Sequence, residues 1–377
     1  MGILPTSNFP LLVVLNPHSG KKQGREVWDS IVQPALNKAE KPFKLIESNA
    51  QGHAQSYFFD NIKPILTDLI QSLSAVNEPV DNASAIIRPS SVTLQIMVLG
   101  GDGTVHEIVN GILRGVEGTG YVSDEFRPKV EFSIIPTGTG NAISTSLGVT
   151  SVQDALDRFL VGNATPLRLM SVSTRAESGW KVHVYTVVVN SYGLHCATVY
   201  DSEEFRHLGN ERFLHAAMKN VENLKQYEGQ LVFYGPVQSY DRSTGSLTPV
   251  SSADSNGPTI SLPGPFTYLL ITKQASLEPG FTPTPFAKTS DEWMDVLAVQ
   301  NVGKAEIMEM FGSTSTGKHV EQKTIEYFKT KTVELETPTQ GRLCVDGEFL
   351  TIEGGPEGRV RFEVISDENI QIFGVYA

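Results

Sequence analysis

Three glycine-bearing turns, each directly behind a short apolar run, constrain this chain more than any other feature. Leu11-Leu12-Val13-Val14-Leu15 leads into Asn16-Pro17-His18-Ser19-Gly20. Leu94-Gln95-Ile96-Met97-Val98-Leu99 leads into Gly100-Gly101-Asp102-Gly103-Thr104, and Phe132-Ser133-Ile134-Ile135-Pro136 into Thr137-Gly138-Thr139-Gly140-Asn141. Short apolar runs bounded by glycine read as buried strands. Three strand ends of this kind in one half of a chain imply C-termini gathered at one crevice, where an open α/β sheet binds its ligand. Glycine lets backbone N–H groups come close to an anion, and the N-terminus of the following helix adds a favourable dipole. The expected ligand is therefore phosphorylated. Asp102, the single carboxylate among these glycines, is the candidate for chemistry.

Composition narrows the class. A chain of 377 residues, 40% hydrophobic, suggests two domains with sizeable cores. A net charge of −12 argues against nonspecific nucleic-acid binding and against a polybasic membrane anchor. Two cysteines, Cys196 and Cys344, do not make a disulfide framework, so a reducing, cytoplasmic setting is expected. No apolar run reaches the roughly 18 residues of a membrane span, and Met1 to Pro10 carries no signal-peptide pattern. Membrane contact is expected to be peripheral.

Residues 8–150 alternate strand-like and helix-like segments. Phe43 to Glu47 reads as a second strand after a helix through Val27, Ile31 and Leu36. Ile62, Ile65, Leu66, Leu69, Ile70 and Leu73 recur at helical spacing. Helices are expected from Val105 to Leu113 and from Ala142 to Leu147. This alternation predicts a mostly parallel sheet flanked by helices. Residues 151–377 instead hold many short strands, among them Val182 to Val189, Gln230 to Tyr234, Phe266 to Thr272, Thr332 to Glu336 and Val360 to Ile365. One helix, with Phe213, Ala217, Val221 and Leu224 on a face, interrupts them. An antiparallel β-sandwich is expected there, with the boundary near Thr150 to Pro166. Ser74 to Ser91 and Ser239 to Gly264, rich in Ser, Pro and Asn or Thr, read as loops.

Each motif also has a plain structural explanation. Asp and Thr around Gly103 cap helices well. A general base for phosphoryl transfer, however, needs a carboxylate beside both acceptor hydroxyl and γ-phosphate, and Asp102 fits that role or that of orienting Mg²⁺. Thr137 to Asn141 offers hydroxyls, N–H groups and an amide to phosphate oxygens. Asn16-Pro17-His18-Ser19-Gly20-Lys21-Lys22 is a looser version. Asp346-Gly347-Glu348 alone reads as a hairpin turn. Glu203, Glu204, Arg206 and Arg212 alone read as a polar helix start. The histidines His53, His106, His195 and His215 lack metal-ligand spacing, so no zinc site is expected.

Taken in order, an Asn-Pro-x-Ser-Gly turn, a Gly-Gly-Asp-Gly-Thr turn and a Pro-x-Gly-Thr-x-Asn turn resemble the diacylglycerol kinase catalytic-domain superfamily, which includes sphingosine, ceramide and bacterial lipid kinases. The resemblance continues through Asn190-Ser191-Tyr192-Gly193, Asp201 to Gly209 with Arg212-Phe213, and Val345-Asp346-Gly347-Glu348. It implies an N-terminal α/β domain similar to those of phosphofructokinases and NAD kinases, a C-terminal β-sandwich for the lipid, and ATP in a cleft. It implies Asp102 as base and nucleotide contacts at Asn16, Pro17, Ser19, Gly20, Ser48, Gly100, Gly101, Gly103, Thr104, Glu107, Thr137, Gly138, Thr139 and Asn141. Glu203, Arg206, Arg212 and Glu348 are implied on the nucleotide side, with Asp346 near Mg²⁺.

Val105-His106-Glu107-Ile108-Val109-Asn110-Gly111 and Asn141-Ala142 resemble the sphingoid-base kinases within that family. Those kinases carry acidic residues where this chain has Ala197 and Val199, one of them thought to hold the substrate's ammonium. If the segment is extended, Asp201 shares a face with Val199 and is the substitute. The expectation is an ATP- and Mg²⁺-dependent kinase for a primary hydroxyl of a sphingoid long-chain base. Ceramide or diacylglycerol kinase is the alternative, and NAD kinase or a non-catalytic lipid-binding protein the more distant ones.

Overall fold

The computed structural model describes residues 10–74, 92–117, 128–177, 179–209, 211–250, 258–355, 358–365 and 373–377. The Ser74 to Ser91 reading thus lies almost wholly outside the described residues. In chain order the strands are β1 (Leu11–Leu15), β2 (Phe43–Glu47), β3 (Thr93–Gly100), β4 (Lys129–Pro136), β5 (Ala164–Pro166), β6 (Met170–Ala176), β7 (Gly179–Thr186), β8 (Val189–Gly193), β9 (Gln230–Asp241), β10 (Ser246–Val250), β11 (Pro258–Pro263), β12 (Phe266–Thr272), β13 (Met294–Gln300), β14 (Ile325–Glu336), β15 (Gly341–Val345), β16 (Glu348–Ile352), β17 (Arg359–Val364) and β18 (Phe373–Tyr376). The helices are α1 (Gly24–Val27), α2 (Gln33–Lys38), α3 (His53–Ser74), α4 (Asp102–Val116), α5 (Ala142–Ser146), α6 (Val152–Val161), α7 (Leu194–Asp201), α8 (Glu211–Glu222) and α9 (Lys304–Ser313). A π-helical turn, Trp28–Val32, joins α1 to α2.

The chain divides into two compact units. The first takes residues 1–138, 149–167 and 366–377, and the second residues 139–148 and 168–365. The expected boundary near Thr150 to Pro166 misses two crossings: the segment after Gly138 belongs with the second unit, and the C-terminal strand returns to the first.

In the first unit the sheet order is β2-β1-β3-β4-β18-β5. The first four strands and β18 run parallel, and β5 closes the edge antiparallel. Buried Leu11, Val13, Leu15, Met97, Leu99 and Ile135 face Trp28, Val32, Leu36 and Phe159. Near-continuous apolar strands are what a parallel sheet covered on both faces requires. The C-terminal strand is fastened by Tyr376, whose hydroxyl donates to Glu131 Oε2 at 2.6 Å and accepts from Gln95 Nε2 at 2.6 Å.

In the second unit the main strand path is β16-β15-β8-β12-β13-β14-β17-β6-β7, and the long β14 also pairs with β9, which carries β10 and β11. Every pairing is antiparallel. Leu231, Phe233, Phe266, Val296, Phe328, Leu335 and Phe362 form the centre of its core.

Three local expectations need correction here. Among the described residues of Ser239 to Gly264 most are strand, not loop: β9 runs on to Asp241, and β10 and β11 pair along it, while 251–257 lie outside the described residues. Pro249, Pro258 and Pro263 sit in edge strands, where a missing N–H is tolerated. The run Val182 to Val189 is two strands, β7 and β8, broken at Val187 and Val188. The segment with Val199 and Asp201 is the helix α7, not extended chain, so residues two apart do not share a face.

Candidate active site

Within the first unit the first two turns and Thr137–Gly138, the start of the third, do converge. Asn16 N–H donates to Leu99 O at 2.9 Å, and Thr137 N–H to Gly100 O at 3.3 Å, so each turn is tied to β3. The Asn16 side-chain amide donates to Thr104 Oγ1 at 3.1 Å, and its Oδ1 accepts from His18 N–H at 3.1 Å. Ser19 Oγ donates to Asn16 O at 3.0 Å. Gly20 has φ +54°, and a methyl group there would overlap the carbonyl of Thr137. Glycine at that position is what lets the first and third turns touch.

Asp102 opens α4, which begins three residues earlier than its apolar periodicity indicates, with the extended Gly101 as N-cap. Asp102 is half-buried in the first turn of that helix. A side chain at Gly100 would meet Thr104 Oγ1 at 2.7 Å, so this glycine is demanded by packing. Gly103 is different. It is exposed, a Cβ there would meet nothing within 4 Å, and its φ is not positive. Folding alone does not ask for glycine at 103, whereas close approach of a ligand does.

Thr137 Oγ1 is buried without a hydrogen-bond partner among the described residues. A buried hydroxyl of this kind costs stability unless something else satisfies it. An open face at Gly103 and an unsatisfied hydroxyl at Thr137 are both features that phosphate oxygens would complete. Gly138 also lies in this unit.

Ser48 and Glu107 occupy more structural posts. Ser48 is buried, with its N–H donating to Leu15 O at 2.8 Å and its Oγ to Ala50 O at 3.2 Å. The Glu107 carboxylate accepts from Gly52 N–H at 2.8 Å and Ala54 N–H at 3.2 Å, capping α3 where it starts.

The second unit holds the remaining candidates. Thr139 and Asn141 lie in its first segment, and Asn141 O accepts from Thr145 N–H at 2.8 Å as α5 begins. Glu203 accepts from Arg206 Nε at 2.5 Å and from Arg212 Nη1 at 2.9 Å, so the predicted acid and two arginines form one cluster. Arg212 Nε is buried and unsatisfied among the described residues. Partial burial lowers the guanidinium's proton affinity, which Glu203 opposes. Asp201 accepts from Asn220 Nδ2 at 2.9 Å, which ties it to α8. Val199 is half-buried on α7.

Asp346 has a role that local sequence did not announce. Its φ is +51°, and its carboxylate accepts from three consecutive backbone N–H groups: Val187 at 2.7 Å, Val188 at 2.9 Å and Val189 at 2.8 Å. The break between β7 and β8 thus exists to feed this carboxylate. Glu348 is exposed at the start of β16. Among the described residues no group of three or more His, Cys, Asp or Glu side chains could hold a metal ion. Mg²⁺ that travels on nucleotide phosphates needs only one or two carboxylates. No helix among the described residues is long and apolar enough to cross a membrane.

Comparison with known proteins agrees with this geometry. The diacylglycerol kinase catalytic domain matches residues 10–172, and the YegS C-terminal NAD kinase beta sandwich-like domain matches residues 265–358. The chain is 26% identical to sphingosine kinase 1 of Mus musculus, over 93% of this chain and 89% of that protein. It is 24% identical to sphingosine kinase 2 of Arabidopsis thaliana, over 90% and 69%, and 23% identical to sphingoid long chain base kinase 4 of Schizosaccharomyces pombe, over 91% and 71%. Among solved structures, a diacylglycerol kinase from Bacillus anthracis str. Sterne aligns with TM-score 0.55 at 16% identity, over 98% of this chain and 97% of that one. The chain thus joins a parallel α/β unit with converging glycine turns to an antiparallel β unit, and the solved structure shares that fold. The match of residues 10–172 to the diacylglycerol kinase catalytic domain and the similarity to sphingosine kinases mark the chain as a lipid kinase, an activity whose phosphoryl donor is ATP.

Proposed function

We propose that this lipid kinase phosphorylates the primary hydroxyl of a sphingoid long-chain base. The observation that carries the phosphoryl-transfer site is the open face at Gly103, one residue beyond Asp102 and at the start of α4. In this reading the N–H groups of the Gly100–Thr104 and Thr137–Gly138 turns cradle ATP phosphates, the Thr137 hydroxyl gains its missing partner, and Asn16, Pro17, Ser19 and Gly20 close the other side. Asp102 accepts the proton of the attacking hydroxyl. Ser48 and Glu107 shape the wall of the pocket through the contacts they already make. Thr139, Asn141, Glu203, Arg206, Arg212 and Glu348 serve the nucleotide. Mg²⁺ neutralises charge on the phosphates. Asp346, its oxygens already accepting three N–H groups, serves the metal chiefly by holding the β7–β8 corner in place.

The substrate class rests on similarity to sphingosine and sphingoid-base kinases along about nine-tenths of the chain. A second reading, ceramide or diacylglycerol, is favoured by one feature: Ala197 and Val199 are apolar, and a buried ammonium without a counter-charge is costly. Asp201 remains the nearest acid along the chain, and its bond to Asn220 leaves its second oxygen available to an amine. We place the protein in the cytoplasm, meeting its lipid at a membrane surface. Purified protein incubated with labelled ATP and, side by side, sphinganine, ceramide, diacylglycerol and NAD tests the proposal. Label in sphinganine supports it; label only in ceramide or diacylglycerol transfers the assignment to the neutral lipids; label only in NAD overturns it.

A further inference from the structure

On α7, Val199 stands four residues after His195, so the two share a face, whereas Asp201 shares a face with Ala197. The His195 ring stands edge-on to Tyr268 of β12, with centroids 5.7 Å apart. Tyr268 in turn stands edge-on to Phe311 of α9 at 5.9 Å, and the Phe311 ring lies 6.2 Å from that of Phe281. His195 therefore leads from the Val199 face of α7 into an aromatic cluster built by β12, α9 and the loop after β12.

Two polar groups in this cluster lack what burial normally demands. Tyr268 is 1% exposed, and its hydroxyl has no hydrogen-bond partner among the described residues. A buried hydroxyl left in that state is uncommon, and a ligand atom can complete it. The second group is the Glu278 carboxylate. Glu278-Pro279-Gly280-Phe281 is a type II turn, closed by Phe281 N–H donating to Glu278 O at 3.0 Å, with proline second and Gly280 third at φ +82°. Leu277 N–H donates to Phe281 O at 3.1 Å, and Glu278 and Phe281 pair as an antiparallel bridge. The turn thus fixes Glu278 opposite the phenylalanine that meets Phe311. Burial, and after it the Glu278 carboxylate, hold the Tyr268 hydroxyl well above its ordinary range, so acid and hydroxyl share one poorly solvated space.

Acids without an ion pair are common on the surface of this unit, where hydration stabilises them. Glu278 is half-buried, and burial raises its proton affinity. Burial does the same to Glu363, but Glu363 has Arg361 at 3.9 Å. Among the described residues the Glu278 side chain forms neither an ion pair nor a hydrogen bond. A desolvated carboxylate beside a hydroxyl oxygen without a partner calls for a cation with more than one N–H. A primary ammonium carries three. It is also the group of a sphingoid base for which Ala197 and Val199 offer no counter-charge.

We infer that Glu278 and Tyr268 set the enzyme's preference for an amine-bearing lipid: the Glu278 carboxylate pairs with the substrate's ammonium, which also donates to the Tyr268 hydroxyl oxygen. The inference rests on the sphingoid-base reading and gives the amine to Glu278 instead of Asp201, which Asn220 already holds. Steady-state kinetics of the full-length wild type, E278Q, E278D, D201N and Y268F on detergent-dispersed sphinganine and ceramide test it, with a melting curve for each protein. E278Q should raise the KM for sphinganine by about tenfold or more, the scale of one charge-assisted contact, with kcat nearly unchanged. Its KM or inhibition constant for ceramide, whose amide carries no charge, should stay at the wild-type value, and E278D should recover part of the affinity for sphinganine. Y268F should also bind sphinganine more weakly, yet melt no lower than the wild type, because it removes a buried hydroxyl that has no partner in the free protein. An unchanged KM for sphinganine in E278Q would overturn the inference, as would an equal loss for both lipids or a larger loss in D201N than in E278Q. Y268F with the wild-type KM for sphinganine would strike the hydroxyl from it. A wild type that phosphorylates ceramide but not sphinganine overturns the sphingoid-base reading and takes Glu278 with it. A wild type and E278Q that phosphorylate sphinganine equally well overturn this inference alone.

Discussion

The side-chain amide of Asn16 donates to Thr104 Oγ1 at 3.1 Å, bridging two turns that lie 88 residues apart in sequence. Thr104 is 5% exposed, so this contact is shielded from water. Thr104→Val keeps the shape of the side chain but removes the acceptor. Leaving a shielded polar group unsatisfied costs about 1–3 kcal/mol. Thermal unfolding should move down by several degrees, and the KM for ATP should rise because two turns are no longer locked together. An unchanged melting temperature and an unchanged KM would show that the bridge holds nothing.

Asp102 carries the chemistry in the proposed reaction. Asp102→Asn preserves size and helix start while removing the base. The expected result is a fall in kcat by a factor on the order of 10² or more, with a near-native melting temperature. Turnover of lipid at the wild-type rate by the purified variant would remove Asp102 from that role.

Gly20 and Gly103 separate folding from binding. At Gly20 a methyl group would collide with the backbone of Thr137 and Gly138, and φ is positive. Gly20→Ala should therefore destabilise the first unit and lower ATP affinity together. At Gly103 a methyl group meets only open space. Gly103→Ala should leave stability unchanged or slightly raised, since alanine suits a helix better by up to about 1 kcal/mol. Its KM for ATP should nonetheless rise. Nucleotide titrations and melting curves on both variants give the comparison; a Gly103→Ala enzyme with native KM would mean that no ligand uses that space.

The sequence made the first unit's design readable because its signals are local. Apolar runs followed by glycine turns identify strand ends without any knowledge of distant residues, and the expected second strand, Phe43 to Glu47, has the bounds observed for β2. Long-range features stayed hidden. Strand β18 joins β4 from the far end of the chain, and its short Phe-Gly-Val-Tyr run has no periodicity to read. Strands β10 and β11 consist of Ser, Thr, Pro and a few apolar residues, and they are strands because β9 offers them an edge. α7 contains Thr198, Val199 and Tyr200, which favour strand locally, but the packed environment made it a helix. The candidate residues of the first unit were legible as motifs. What Glu107, Asp201 and Asp346 actually bond to was not, since their partners lie 19 to 159 residues away.

Asp346 makes a strong prediction about the second unit. Its two oxygens serve the N–H groups of Val187, Val188 and Val189. Hydrogen bonds to a charged group are worth roughly 1.5–3 kcal/mol each. Asp346→Ala would orphan all three donors, so a loss of several kcal/mol, about 3 or more, is expected. Asp346→Asn retains one acceptor oxygen and should lose less. If Asp346→Ala instead unfolds at the wild-type urea concentration and only loses Mg²⁺-dependent turnover, its main work is at the metal and not at the corner.

His195 supplies the pH dependence. Its Nδ1 lies 2.8 Å from Ser191 Oγ, and its ring stands edge-on to Tyr268 with centroids 5.7 Å apart. Burial pushes its pKa down to about 4, below the roughly 6.5 of an unfolded histidine. Above pH about 6.5 both states are neutral and His195 makes no pH-dependent contribution. As the pH falls from about 6.5 towards 4 the unfolded chain takes up a proton that the folded chain refuses, so stability declines through that window and levels off below it. The slope reaches at most about 1.4 kcal/mol per pH unit for one such group. His195→Gln keeps a hydrogen-bonding side chain but cannot titrate. Urea unfolding at pH 7.5 and 5.5 should show the wild type losing about 1 kcal/mol more than His195→Gln over that interval, because other titrating groups act equally in both. Identical losses would mean that the folded protein lets His195 protonate as freely as the unfolded chain does.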